Sequence, residues 1–197
     1  MTTSRIGCRP AQAGFSLVEM VVVMGLVGVL SAMAVLQINA SRPGLKGDGA
    51  MRVVLSQMTA ARELAITQRR NVRVTFTAGI LVQTIREDAP AATQTTLSSV
   101  SMEGGLQFAI IAGLGDTPDN FCNGSVTAVS FPTATGTPPE VKFTPDGTFV
   151  NQLGHTLNGT VFVSLPDEPT SARAVTILGA TGRVRGYRWD GRAWMAV

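Results

Sequence analysis

Gly14-Phe15-Ser16-Leu17-Val18-Glu19-Met20 opens a run that continues to Leu36 almost without a polar side chain. The stretch 15–38 carries one charge, Glu19, and exceeds the roughly 20 residues that a helix needs to cross a bilayer. Ahead of it, residues 1–13 are polar or small and hold Arg5 and Arg9 with no acid, which predicts that they stay on the cytoplasmic side of the span. An ordinary secretory signal is the competing reading, since Ala32-Met33-Ala34 has the small-residue pattern of a cleavage site. Two features oppose it. The apolar stretch is longer than the h-region of such signals, and a carboxylate at the depth of Glu19 costs a few kcal/mol unless it has a partner or a task.

The order glycine, aromatic, glutamate, followed by an unbroken apolar helix and preceded by a basic leader, closely resembles the type III signal of type IV pilins and type II secretion pseudopilins. In that family a membrane prepilin peptidase cuts after the glycine and methylates the new amino terminus. The resemblance therefore implies a leader at 1–14, cleavage between Gly14 and Phe15, N-methylation of Phe15, and a role for Glu19 in assembly. It also implies a single-pass protein of the bacterial inner membrane, with a cytoplasmic amino terminus and a periplasmic carboxyl-terminal domain. Such a protein enters a pilus or pseudopilus beside other pilins or pseudopilins. A protonated terminal amine and a buried carboxylate on neighbouring helices can neutralise one another in a low-dielectric bundle, which would set subunit register.

Beyond the transmembrane helix expected at 15–38, Ser41-Arg42-Pro43-Gly44 is the candidate kink or break, because proline removes a backbone donor, and the first helix is expected either to kink near Pro43 or to run on into the second. The region 39–70 is predicted to hold an amphipathic helix from about Asp48 to Arg70. Its apolar face is Met51, Val54, Leu55, Met58, Ala61, Leu64 and Ala65, at spacings of three and four. From 71 to 197 the pattern is β-prone. Strands are predicted at 72–77, 80–85, 106–111, 127–131, 141–144, 148–150, 161–165, 174–178 and 183–189. Pro145-Asp146-Gly147 supplies turn chemistry, and Asp190-Gly191 closes a hairpin between Tyr187-Arg188-Trp189 and Ala193-Trp194-Met195. Segments 87–96 and 113–125 read as loops. The fold class is α+β: a long hydrophobic amino-terminal helix, then an amphipathic helix packed on antiparallel sheet.

Thr181-Gly182-Arg183-Val184-Arg185 continues through Arg188 and Arg192, so that five arginines and one acid, Asp190, lie between Arg173 and Arg192. Arg183 and Arg185 are two apart in a predicted strand, on one face with Tyr187, which forms a small basic strip with an aromatic edge. The layout resembles the GspH/FimT branch of minor pilins and pseudopilins. The residues that carry this are the signal, Arg62-Glu63-Leu64-Ala65, Phe143-Thr144-Pro145-Asp146-Gly147, and the terminal Gly-Arg-Val-Arg. That branch implies a helix wrapped by β-sheet and a structural subunit that initiates or caps a filament. Some FimT-like members capture double-stranded DNA through a Gly-Arg-x-Arg motif. It maps here onto Gly182, Arg183 and Arg185, with Arg188 as a neighbour. A solvated strand face, or pairing with acids of neighbouring subunits, is the alternative for the same arginines.

Composition narrows the classes further. The 197-residue chain has a formal charge of +3, with fourteen arginines among its sixteen basic residues, which suits planar bidentate contacts or reflects a general arginine bias. Cys8 and Cys122 are the two cysteines, and loss of the leader would leave Cys122 alone, expected as a small buried hydrophobe. One histidine, His155, and one remaining cysteine make a zinc site improbable. The acids and amides of 113–125 lack the spacing of an EF-hand loop. No nucleophile motif or phosphate loop accompanies His155, so neither enzyme chemistry nor a cofactor is expected.

Overall fold

The computed structural model describes residues 14–77, 79–88, 93–122, 127–131, 134 and 139–197. The expected leader, up to Ala13, and parts of both expected loops lie outside them. The chain divides into two compact units, Met1–Ser41 and Arg42–Val197.

Helix α1, Leu17–Gln68, is continuous through Ser41-Arg42-Pro43-Gly44. In the first unit its large apolar side chains, among them Leu17, Val21, Leu26, Leu30 and Leu36, are all exposed. By length and composition this segment is sufficient to cross a membrane. In the second unit the same helix buries Met51, Val54, Met58, Ala61 and Ala65, with Leu55 and Leu64 partly covered. It ends where Arg69 takes a left-handed conformation (φ 49°) and the Arg70 N–H reaches back to the Ala65 carbonyl at 3.2 Å, the capping pattern that satisfies a last-turn acceptor.

Ten strands follow: β1 (Val72–Thr77), β2 (Leu81–Glu87), β3 (Gln94–Ser101), β4 (Val129–Ser130), β5 (Val141–Phe143), β6 (Phe149–Asn151), β7 (Gly159–Leu165), β8 (Glu168–Leu178), β9 (Arg183–Trp189) and β10 (Trp194–Ala196). They form two five-stranded sheets, ordered β3-β2-β1-β5-β6 and β10-β9-β8-β7-β4. Every pairing is antiparallel. The second-unit part of α1 and both sheets share one core. Val54 and Met58 of the helix join Val72, Val74, Val141, Phe143 and Phe149 of the first sheet and Val161, Val175 and Ile177 of the second. This is the expected α+β architecture.

Two sequence expectations are corrected. Segment 106–111 forms no strand; only Gln107 makes an isolated bridge, to Ser164. The apolar side chains of the stretch from Phe108 onward serve as a cover instead. Ile110, Ile111 and Leu114 pack with Cys122, Phe162, Ala174, Tyr187 and Trp194 on the second sheet, on the face turned away from α1. Part of the loop expected at 87–96 belongs to strand β3, which begins at Gln94 and pairs with β2, its register shifting between Thr84 and Ile85. The carboxyl-terminal hairpin forms, with Trp194 opposite Trp189 and Met195 opposite Arg188. Because α1 covers one face of the second sheet and the 108–122 segment the other, β8 is buried continuously from Ser171 to Ile177 rather than alternating.

Candidate functional site

At the amino-terminal end Gly14 and Phe15 precede the helix, and Met20 N–H bonds the Ser16 carbonyl at 3.1 Å to start its first turn. Phe15 is 78% exposed and Glu19 is exposed one turn further on, among apolar side chains apart from Ser16. A carboxylate so placed has no partner of opposite charge among the described residues of its own chain.

The second candidate site is β9. Its residues alternate between two faces. Val184 packs into the shared core and Gly186 lies beneath α1, where an added methyl would come within 2.9 Å of the Met51 sulfur and 3.0 Å of Leu55. Arg183, Arg185 and Tyr187 belong to the outward set, and Arg183 and Arg185 are exposed. The expected aromatic edge is absent from the surface, because Tyr187 is buried beneath the 108–122 cover with Phe162 and Trp194. Burial, reinforced by a hydrogen bond to Asp119, raises its hydroxyl above the ordinary tyrosine value. Arg188 lies on the opposite parity from Arg183 and Arg185, so it does not extend their strip. Arg173, counted in the basic segment, is not a surface cation at all. It is 2% exposed, donates to Asp48 at 2.6 Å, and also donates to the carbonyls of Gly44, Thr170 and Ala172.

The two outward arginines differ. Arg185 Nη1 lies 3.7 Å from a carboxylate oxygen of Asp119, whose other oxygen accepts from the Thr176 hydroxyl at 2.6 Å. The Arg183 side chain has no hydrogen-bond or ion-pair partner among the described residues. Gly182, just before it, has φ 62°, and a methyl there would stand 2.1 Å from the Gly147 carbonyl oxygen and 2.8 Å from Arg62 Nε. Arg62 Nε donates to that same carbonyl at 3.2 Å. Three short motifs far apart in sequence thus meet at one junction: Arg62 on α1, the Asp146-Gly147 turn between β5 and β6, and Gly182 at the start of β9.

Residues 9–35 match the family model described as the prokaryotic N-terminal methylation motif. The match brackets Gly14, Phe15 and Glu19 and covers none of the β-rich unit. Two crystal forms of the type IV minor pilin FimU of Pseudomonas aeruginosa are structurally similar. One is 15% identical, covering 70% of this chain and 84% of that chain at a TM-score of 0.46. The other is 16% identical, covering 71% and 90% at a TM-score of 0.46. No curated protein matches the chain significantly. The methylation motif adds a second line to the chemistry of the amino-terminal site, since it falls where an exposed glycine–aromatic junction leads into the apolar helix. Nothing of comparable reach attaches to β9, where only the geometry above speaks.

Proposed function

We propose that the chain is the precursor of a minor-pilin-like structural subunit of a type IV pilus or type II secretion pseudopilus. In this reading it is anchored in the inner membrane by residues 15–38, with its β-rich unit in the periplasm, and helps to initiate or cap filament assembly. The observation that carries the reading is the coincidence of the methylation motif with a wholly exposed apolar helix segment that bears one carboxylate five residues past Gly14. Prepilin peptidase would remove residues 1–14 and methylate Phe15. Glu19 would then pair with the terminal amine of a neighbouring subunit, and other pilins or pseudopilins would be the partners.

The test is intact-mass analysis of the full chain expressed in membranes with and without a prepilin peptidase. The expected product begins at Phe15 and carries one extra methyl; Gly14→Leu blocks processing. Glu19→Val is processed normally yet fails to enter filaments with its partners. A product that begins after Ala34 would make the apolar stretch an ordinary secretory signal and overturn the proposal.

A second reading is favoured by one observation, the exposed Arg183 with no acid beside it. In this reading the subunit captures double-stranded DNA through β9, with phosphate contacts that are independent of sequence and sensitive to salt.

A further inference from the structure

A strap of chain crosses the face of the second sheet that is turned away from α1. It leaves the sheet after the Gln107–Ser164 bridge and is pinned at two points. The Ser164 hydroxyl donates to the Ala109 carbonyl at 3.1 Å, and Trp194 Nε1 donates to the Gly115 carbonyl at 2.8 Å. Between strap and sheet lies a groove of about 690 Å³, a volume usual for ligand pockets. Phe162, Ala172 and Trp194 of the sheet, Ile110 and Leu114 of the strap, and Cys122 give it apolar surface.

Two charged residues also border the groove, and both are engaged within the chain. The Asp116 carboxylate accepts from the Thr117 and Cys122 N–H groups at 2.6 and 2.9 Å. The Arg173 guanidinium is held by Asp48 and by backbone carbonyls. A charged ligand would lose hydration here without gaining a counter-ion. The backbone of the strap is the opposite case. Between its two pins the N–H groups of Ile110, Ile111, Ala112 and Gly113, and the carbonyls of Ile110, Ala112 and Gly113, have no hydrogen-bond partner among the described residues.

We infer that the groove is a docking site for an extended segment of another polypeptide, which lays uncharged aliphatic or aromatic side chains over Ala172 and pairs its backbone with the strap. Volume and apolar lining alone would suit a hydrocarbon chain equally well. The unpaired backbone groups decide between the two, because a polypeptide brings donors and acceptors in alternation and a hydrocarbon brings neither. Alternate side chains of the incoming segment then enter the groove while the others face solvent. None of these residues belongs to the amino-terminal site or to the arginine strip of β9, so the inference is independent of both readings.

The experiment uses the full chain in phospholipid nanodiscs. The probes are fluorescent, acetylated hexapeptide amides that alternate threonine with valine, leucine, phenylalanine or tryptophan, and binding is read by anisotropy. Saturable binding of at least one member is expected. Aspartate at its apolar positions, or N-methylation of one of its two alternate sets of amides, lowers the affinity about tenfold or more, whereas N-methylation of the other set is tolerated. Ala172→Leu fills the floor of the groove, and Ala112→Trp covers its rim from an exposed position. Each is expected to weaken binding about tenfold, the loss usual for a contact at the centre of an interface. Because Ala112 is exposed, its variant decides the matter even where Ala172→Leu disturbs packing, and an unchanged urea midpoint shows that its fold is intact. No saturable binding by any member of the series, or binding unaltered in both variants, overturns the inference. Competition by 1-dodecanol together with indifference to N-methylation would reassign the groove to hydrocarbon chains, and that too overturns it.

Discussion

A methyl group on Gly182 would have to share space with the Gly147 carbonyl oxygen, 2.1 Å away, on a backbone already at φ 62°. Left-handed backbone and overpacking each cost about 1–3 kcal/mol for a residue with a Cβ. Gly182→Ala is therefore expected to lower stability by about 3 kcal/mol, read as a drop in the urea midpoint with an unchanged slope. An unchanged midpoint would show that the β5–β6 turn yields at no cost. The glycine of the Gly-Arg-Val-Arg motif thus has a structural reason of its own, and a loss of ligand binding in Gly182→Ala would say nothing about contact. From the sequence, Gly182, Arg183 and Arg185 look like one unit. Their differing environments depend on Arg62, Gly147 and Asp119, which lie from 35 to 120 positions away along the chain by about the same order as any tertiary contact, and no local pattern marks those pairings.

Strands β1, β2 and β5 are joined at one end by charges. Arg73 of β1 bonds Glu87 of β2 at 2.8 Å and lies 3.7 Å from Glu140, while Lys142 of β5 lies 3.5 Å from Glu87. Burial alone would push the Glu87 carboxyl up, but the Arg73 hydrogen bond, the Lys142 and Arg73 charges and an Asn71 hydrogen bond together outweigh it and hold the group below its ordinary value. A depressed carboxylate contributes stability that is complete above the unfolded-state value, about 4.3 for glutamate, and is lost as pH falls through the lower folded-state value. The unaltered protein should therefore exceed Glu87→Gln in urea midpoint at neutral pH, and the gap should close as the solution is acidified through that window. A gap that stays constant with pH would mean that the ion pairs contribute nothing. Strands with alternating apolar residues, such as Val72, Val74 and Phe76 in β1, were legible in the sequence because one face is buried. Strand β3 was not, because Gln-Thr-Thr-Leu-Ser-Ser-Val-Ser lies on a sheet edge, largely uncovered, and needs no apolar periodicity. The opposite error at 106–111 has the same origin, since a hydrophobic run that caps a sheet from outside carries the same letters as a strand within it.

At the scale of the whole chain the apolar surface is unevenly divided. Between Phe15 and Ile38 large hydrophobic side chains are exposed turn after turn, whereas Arg42–Val197 exposes only scattered ones such as Leu45, Leu153 and Met195. The second unit keeps its helical residues Met51, Val54, Met58, Ala61 and Ala65 in the same core as both sheets. Replacing any one of the larger of these by Ala would cost about 2–5 kcal/mol, so removing the whole helix face costs on the order of the total stability of about 5–15 kcal/mol of an ordinary domain. A chain that begins at Arg42 is thus expected to be soluble without detergent and to unfold in one cooperative transition. A chain that begins at Arg69, with every strand but no helix, should lack near-ultraviolet circular dichroism and a cooperative transition. Cooperative unfolding of the shorter chain would show that the sheets close their own core and that α1 is only an attachment. Failure of the longer chain to fold would show that the β-rich unit depends on residues of the apolar segment, contrary to the division of contacts at Ser41.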